Sequence, residues 1–152
     1  LYPKLTETYV KYTTNDEFKV SIFIHLTKFL LLQKKLSDLC SVIGMVAAPE
    51  DSSDMLDYCL KGSLTNLQEW GHEYFRALAG SIGRNYNVRV EDDKSTDDLM
   101  KLVDIIVPQF INHNEEPEAV DLMMETESLS KLSGFCNERN YDRVCRYLCS
   151  CS

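Results

Sequence analysis

The sequence predicts an all-α protein, with antiparallel helical hairpins stacked as a repeat-like solenoid or bundle segment. Three observations carry this. Apolar residues recur at helical spacing in window after window. Only the short run Val88-Arg89-Val90 alternates as a strand would. Six Gly and 4 Pro in 152 residues are too few for a turn-dense β sandwich or barrel. That length suits a single helical domain, 1–152, with its own core. Its start at Leu1 without a methionine reads as a fragment of a larger protein. The formal net charge of -8 argues against a nucleic-acid partner, because phosphate binding needs Lys and Arg to displace counterions.

PKLTETYVKY opens as a helix, with Pro3 in the first turn and Leu5, Tyr9 and Tyr12 on one stripe. After TTND a long apolar region runs from Glu17 to Ala48. Its densest part, VSIFIHLTKFLLLQ, spans Val20–Gln33. It falls short of the roughly 18 residues a membrane span needs and contains His25 and Lys28, so no membrane partner is expected. As a helix it should bury most of its surface, leaving a narrow polar stripe of Ser21, His25, Lys28 and Lys35. LSDLCSVIGMVAAPE continues as helix ending before Pro49, with Leu36, Leu39, Val42 or Ile43, and Val46 as its apolar face.

EDSSDMLDYCLKG is a short helix, capped by Asp51 or Ser52 and ended by Gly62. SLTNLQEWGHEYFRALAGSIGRNY is read as one helix with Thr65 or Asn66 as cap. Leu67, Trp70, Tyr74 and Leu78 make one apolar face, and Phe75, Ala79, Ile82 and Tyr86 another, so neighbours should pack on both sides. Gly71, Gly80 and Gly83 cost helix propensity, which points to close packing or helix termination. Residues 87–96 read as a polar, solvated loop. A helix then starts at Ser95 or Thr96, with acids in its first turn, and buries Leu99, Leu102 or Val103, Ile106 and Phe110. Pro108 should kink it or end it near Val107. Pro117 restarts a helix with Ala119, Val120, Met123 and Met124 inward. LSKLSGF is a link, and Asn137 caps a last helix with Tyr141, Val144 or Cys145, Leu148 and Cys151 on one face.

The most site-like stretch is WGHEYFRALAG, where His72 adjoins Glu73. Zinc hydrolases place two histidines four residues apart around such a glutamate, but Arg76 stands where the second should be, and a guanidinium stays protonated. A metal-dependent hydrolase using His72, Glu73 and the cysteines is therefore the weakest of three readings. Instead, His72 and Arg76 should project together onto loop carbonyls or acids, while Trp70, Tyr74 and Leu78 pack. Cys145, Cys149 and Cys151 lack the paired spacing of a zinc site and read as buried helical thiols, and all six cysteines as reduced. Glu115–Glu116 and Asp97–Asp98 read as helix-start charges, and His25 and His113 have no ligand partners at metal spacing. No catalytic, cofactor-binding or metal-ligating residue is expected.

Several spaced motifs add to this. WGHEYFRALAG with DMLDYCLKGSLTNLQEW upstream, LMKLVDIIVPQFINHNEEPEAVDLMMETESLSKL, and NERNYDRVCRYLCSC follow one another in order. Together they resemble the family of large non-ATPase scaffold subunits in the base of the proteasome regulatory particle, regulatory subunit 2. The likeness spans about Leu36 to Ser152, and more weakly Leu1 to Lys19. It implies a non-catalytic scaffold in cytoplasm and nucleus, supporting ubiquitin-dependent degradation. Its implied partners are the ATPase ring and other regulatory particle subunits. Shuttle proteins bearing ubiquitin-like domains would bind through regions outside 1–152. A helical adaptor of an unrelated assembly is the alternative. Val20–Gln33 has no counterpart in the family pattern, and reads as an apolar insertion or as a gene-model artefact from a retained intron.

Overall fold

The computed structural model describes residues 16–49, 52–65 and 67–151. The expected opening helix at Pro3–Tyr12 and the alternative caps Asp51 and Asn66 lie outside these. Six α-helices follow in order: α1 Asp16–Ala47, α2 Asp54–Lys61, α3 His72–Glu91, α4 Asp97–Asn112, α5 Glu116–Glu125 and α6 Tyr141–Cys151. Two 3-10 turns, Leu67–Trp70 and Leu129–Gly134, join α2 to α3 and α5 to α6. No strand occurs among the described residues.

The core lies where α2 to α5 meet. Leu56, Leu78, Ile82, Leu99, Leu102, Ile106, Ala119 and Val120 lose all solvent contact there. Both predicted faces of α3 supply it, with Tyr74 and Leu78 on one and Phe75, Ala79 and Ile82 on the other. Leu132 of the second 3-10 turn and Val144 of α6 close its far end.

The α1–α2 hairpin is held by small and polar groups. Asp38 accepts from the Ser63 backbone N–H at 2.9 Å and from its hydroxyl at 2.6 Å. A Cβ on Gly62 would sit 2.0 Å from the Asp38 carboxylate, so glycine permits this approach. Gly62 ends α2 as expected, its N–H bonding the Cys59 carbonyl. At the other end of α2, Ser52 Oγ accepts from the Asp54 N–H at 3.0 Å. Gly44 brings α1 against the Met55 backbone, where an added Cβ would lie 3.3 Å from it.

Several expectations need correction. α1 is one continuous helix ending before Pro49, but its predicted apolar face is turned to solvent: Leu36, Leu39, Ile43 and Val46 are all more than half exposed. The packed side carries Asp38, buried Ser41, Val42 and Met45. The reason is that α2 bonds to the polar groups of that side, which outweighs its lower apolar content. Val20–Gln33 is helical, yet Phe23, Phe29 and Leu32 are 71%, 64% and 66% exposed, because this stretch of α1 runs beyond the reach of α2.

The helix expected to run through Gly71 is broken there. Gly71 has φ +89°, outside helical space, so a 3-10 turn precedes it and α3 starts at His72. Residues 87–91 are not loop: α3 continues to Glu91, with Arg89 anchored to Asp98 at 2.5 Å. Pro108 does not end α4, which runs on to Asn112; the missing N–H forfeits one bond near the helix end. On α6 only Val144 is buried, while Tyr141, Cys145 and Cys151 face outward. The thiols Cys145, Cys149 and Cys151 are therefore exposed, and Cys59 is the buried one. They lie on the solvent-facing side of α6. None of the six cysteines forms a disulfide.

Three helices in succession end with the same device. After α3, α4 and α5, a residue in the left-handed region follows the last turn: Asp93 at φ 55°, Asn114 at 60° and Glu127 at 51°. In each case the next backbone N–H reaches five residues back: Lys94 to Arg89, Glu115 to Phe110 and Ser128 to Met123, all at 2.8 Å. This 6→1 closure satisfies carbonyls left open at the helix end and reverses the chain.

Candidate functional site

The residues singled out by sequence meet around the start of α5. Its first turn is acidic, with Glu115 as cap followed by Glu116 and Glu118. Basic groups from two other helices converge on it. From α3, His72 Nε2 lies 2.7 Å from Glu115 Oε1, and Arg76 Nη2 lies 2.5 Å from Glu118 Oε1. The 72–76 spacing of one helical turn matches the 115–118 spacing across the interface, so two side-by-side polar contacts form, His72 to Glu115 and the Arg76–Glu118 ion pair. From α6, Arg143 Nε donates to Glu116 Oε1 at 2.9 Å, and its Nη2 to Asn114 Oδ1 at 2.9 Å. One turn further, the Tyr147 hydroxyl donates to Asp121 at 2.7 Å. That bond, foremost, holds the Tyr147 phenol above its ordinary range.

These contacts differ in weight. The His72 and Arg76 side chains are 40% and 46% exposed, so their pairs are screened and individually modest. Glu116 is 1% exposed, and its carboxylate depends on Arg143. Sequence reasoning found His72 and Arg76 and their acidic partners by type. It missed Arg143, whose partners lie 27 and 29 residues upstream. It also missed Asn140, which accepts from the Asn137 N–H at 2.7 Å and donates to the Phe135 carbonyl at 3.0 Å, so closing the turn into α6.

Behind the ion pairs lies an aromatic chain. Trp70 stands edge-on to Tyr74 with centroids 4.9 Å apart, Tyr74 to Phe75 at 6.5 Å, and Phe75 to Phe110 of α4 at 6.4 Å. Trp70 is half-buried and Leu78 fully buried. Tyr74 ends in a buried polar relay. Its hydroxyl lies 2.6 Å from Ser41 Oγ, which donates to the Met55 carbonyl at 2.6 Å. Ser41 has one proton, so Tyr74 donates to Ser41. Burial drives the Tyr74 phenol far above its usual range and also raises the Cys59 thiol beside it.

The chemical capacity of this arrangement is cohesive. His72 engages Glu115 and not Glu73, which is exposed. Among the described residues no three His, Cys, Asp or Glu side chains converge as a metal site would require. A cavity of about 120 Å³ between His72, Phe75, Phe110 and His113 is too small for a substrate of ordinary size. Glu115 Oε2 is buried without a partner at this same place. Ion pairs, aromatic contacts and a hydroxyl relay each join different helices, so the arrangement is that of an all-α packed body.

The comparisons with known proteins agree with that class. The family model for the RPN1 N-terminal domain matches residues 1–152, and the chain belongs to this family. It is 49% identical over 117 residues to the 26S proteasome non-ATPase regulatory subunit 2 of Dictyostelium discoideum, covering 77% of this chain and 13% of that protein. It is 42% identical over 119 residues to the subunit 2 homolog B of Arabidopsis thaliana, covering 78% and 13%. An alignment of 170 residues with the 26S proteasome regulatory subunit RPN1 of Candida glabrata is 34% identical and covers 99% of this chain and 16% of that one. The chain thus spans about an eighth to a sixth of the length of these relatives.

Proposed function

We propose that this chain is a non-catalytic scaffold segment of the proteasome regulatory particle base, acting in ubiquitin-dependent degradation through protein–protein contacts. The match of the whole chain to the RPN1 N-terminal domain, among relatives named as regulatory non-ATPase subunits, carries this reading. The contacts of His72 with Glu115 of α5 and of Arg76 with Glu118, which tie α3 to α5, support a packing role for this segment. In this reading Trp70, His72, Tyr74 and Leu78 are packing residues that set the angle of α3 against α4 and α5. The partners are subunits of the regulatory particle, the ATPase ring among them, in cytoplasm and nucleus. Shuttle proteins would be received by regions outside these 152 residues. Affinity capture of the full-length protein from its own cells tests this. Co-purification of the regulatory particle ATPases is expected; their absence overturns the assignment.

We also infer that Val20–Gln33 is an addition to the family's helix, either a lineage insertion or a retained intron. Transcript sequencing decides between them, and a spliced message joining Lys19 to Lys34 removes the insertion.

A further inference from the structure

Two buried side-chain atoms among the described residues, Ser81 Oγ and Glu115 Oε2, have no hydrogen-bond partner within the protein. Ser81 lies inside α3, where rotation of the side chain brings a hydroxyl onto the carbonyl four residues back. Glu115 has no such local remedy, because a carboxylate oxygen can only accept. Its backbone is fixed, since its N–H bonds the Phe110 carbonyl at 2.8 Å in the closure at Asn114. Its other oxygen, Oε1, already takes His72 Nε2 at 2.7 Å, and the side chain as a whole is only 15% exposed. Leaving Oε2 without any donor would cost the full desolvation of that oxygen.

Glu115 also lines the cavity of about 120 Å³ whose other walls are His72 and Phe75 of α3, Gln109 and Phe110 of α4, and His113 just after α4. A cavity of that size with purely apolar walls would stay dry. This one brings the Gln109 amide and the His113 imidazole beside the carboxylate, and both groups can donate or accept. A bound water needs about 10–15 Å³ of such space and about two to four polar partners, and both conditions are met here. We propose that this cavity is a hydration site, in which one ordered water donates to Glu115 Oε2 and is held on its other side by the side-chain amide of Gln109. Gln109 is the half-buried one of the two flanking polar residues, whereas His113 is exposed to bulk solvent. The water completes a junction of three helices. His72 brings α3 to one carboxylate oxygen, the water brings α4 to the other, and Glu115 carries both to the start of α5.

A crystal structure of the chain at a resolution that shows ordered solvent tests the proposal. A water within hydrogen-bond distance of both Glu115 Oε2 and the Gln109 side chain is expected. A dry cavity overturns it, and so does a Glu115 side chain turned so that Oε2 bonds a protein donor or bulk solvent. In solution, cross-relaxation between a long-lived water and the Phe110 ring protons is expected, and only fast-exchanging water there overturns the site. Gln109→Leu tests the bridge itself, since it removes the second partner and leaves Glu115 untouched. The water should lose most of its occupancy while the His72–Glu115 contact persists. A fully occupied water in Gln109→Leu means that α4 does not hold it, and overturns the three-helix junction.

Discussion

Two regions of this molecule are built from similar residues and meet opposite fates. The body, α2 to α5, buries Leu56, Leu78, Ile106 and Phe110 almost completely. The free stretch of α1 holds Phe23, Phe29, Leu30 and Leu32, all more than half exposed. Both are helical and both are rich in large apolar side chains. What separates them is whether a second element can reach. In the body, short connections fold each helix back on the last, and the repeated left-handed closures at Asp93, Asn114 and Glu127 aim that reversal. α1 runs for 32 residues, while α2 has 8 and meets only its last turns. Apolar content makes burial favourable, but chain reversal at the right place provides the partner.

The largest test of this contrast compares two phenylalanines. Phe110→Ala should cost about 3–5 kcal/mol in urea unfolding, because it opens a cavity among buried side chains. Phe29→Ala should change body stability by less than about 0.5 kcal/mol, since the side chain is 64% exposed. Comparable losses at both sites would mean that α1 is covered within the monomer. Next in size is Arg143→Ala, which leaves the Glu116 carboxylate buried without its cation. A loss of about 3 kcal/mol is expected, and it should exceed the loss from His72→Ala, whose partly exposed pair is worth under about 1 kcal/mol. Ser41→Ala should cost roughly 1–3 kcal/mol, by removing the buried hydroxyl that links Tyr74 to the Met55 carbonyl. That result would show that polar contacts hold α1 to the body despite its apolar outer face.

A smaller effect concerns Glu125. Burial, and then the neighbouring Asp121 charge, raise its pKa in the folded state above the ordinary carboxylate value. The folded protein therefore holds this proton more tightly than the unfolded chain does. The stabilisation is full below the ordinary carboxylate range and is lost as pH rises through the folded value. Glu125→Gln should remove that dependence, so the stability of variant relative to parent should increase across this window in pH-resolved thermal melts. A modest gain, not a loss, is expected from Glu127→Gly. Glycine occupies the left-handed region without steric cost, and a gain of roughly 0.5–1 kcal/mol is expected.

How legible was all this beforehand? The stripes of α4 and α5 were, because Leu99, Leu102, Ile106 and Phe110, like Ala119, Val120 and Met123, recur at one period and are buried at that period. The helix ends were less so. Asp93 and Glu127 do the work often given to glycine, and nothing about an aspartate or glutamate marks that role. Gly62 was found because its type announced it. For the ion pairs, chemical type was legible but partner was not. Glu115 and Glu116 are adjacent, yet one takes a histidine from α3 and the other an arginine from α6.

By itself the sequence determined that this chain is helical, where most helices lie, and which family it resembles, since periodicity and local motifs are properties of neighbouring residues. Tertiary structure alone decided which side of α1 is inside. Leu36, Leu39, Ile43 and Val46 are the more apolar side, but Asp38 and Ser41 carry the hydrogen bonds to Ser63, Met55 and Tyr74 that fix the hairpin. A hydrogen bond between residues 14 to 33 positions apart leaves no periodic trace. It needs the folded chain to bring donor and acceptor together, and once made it commits the opposite face to solvent or to a partner.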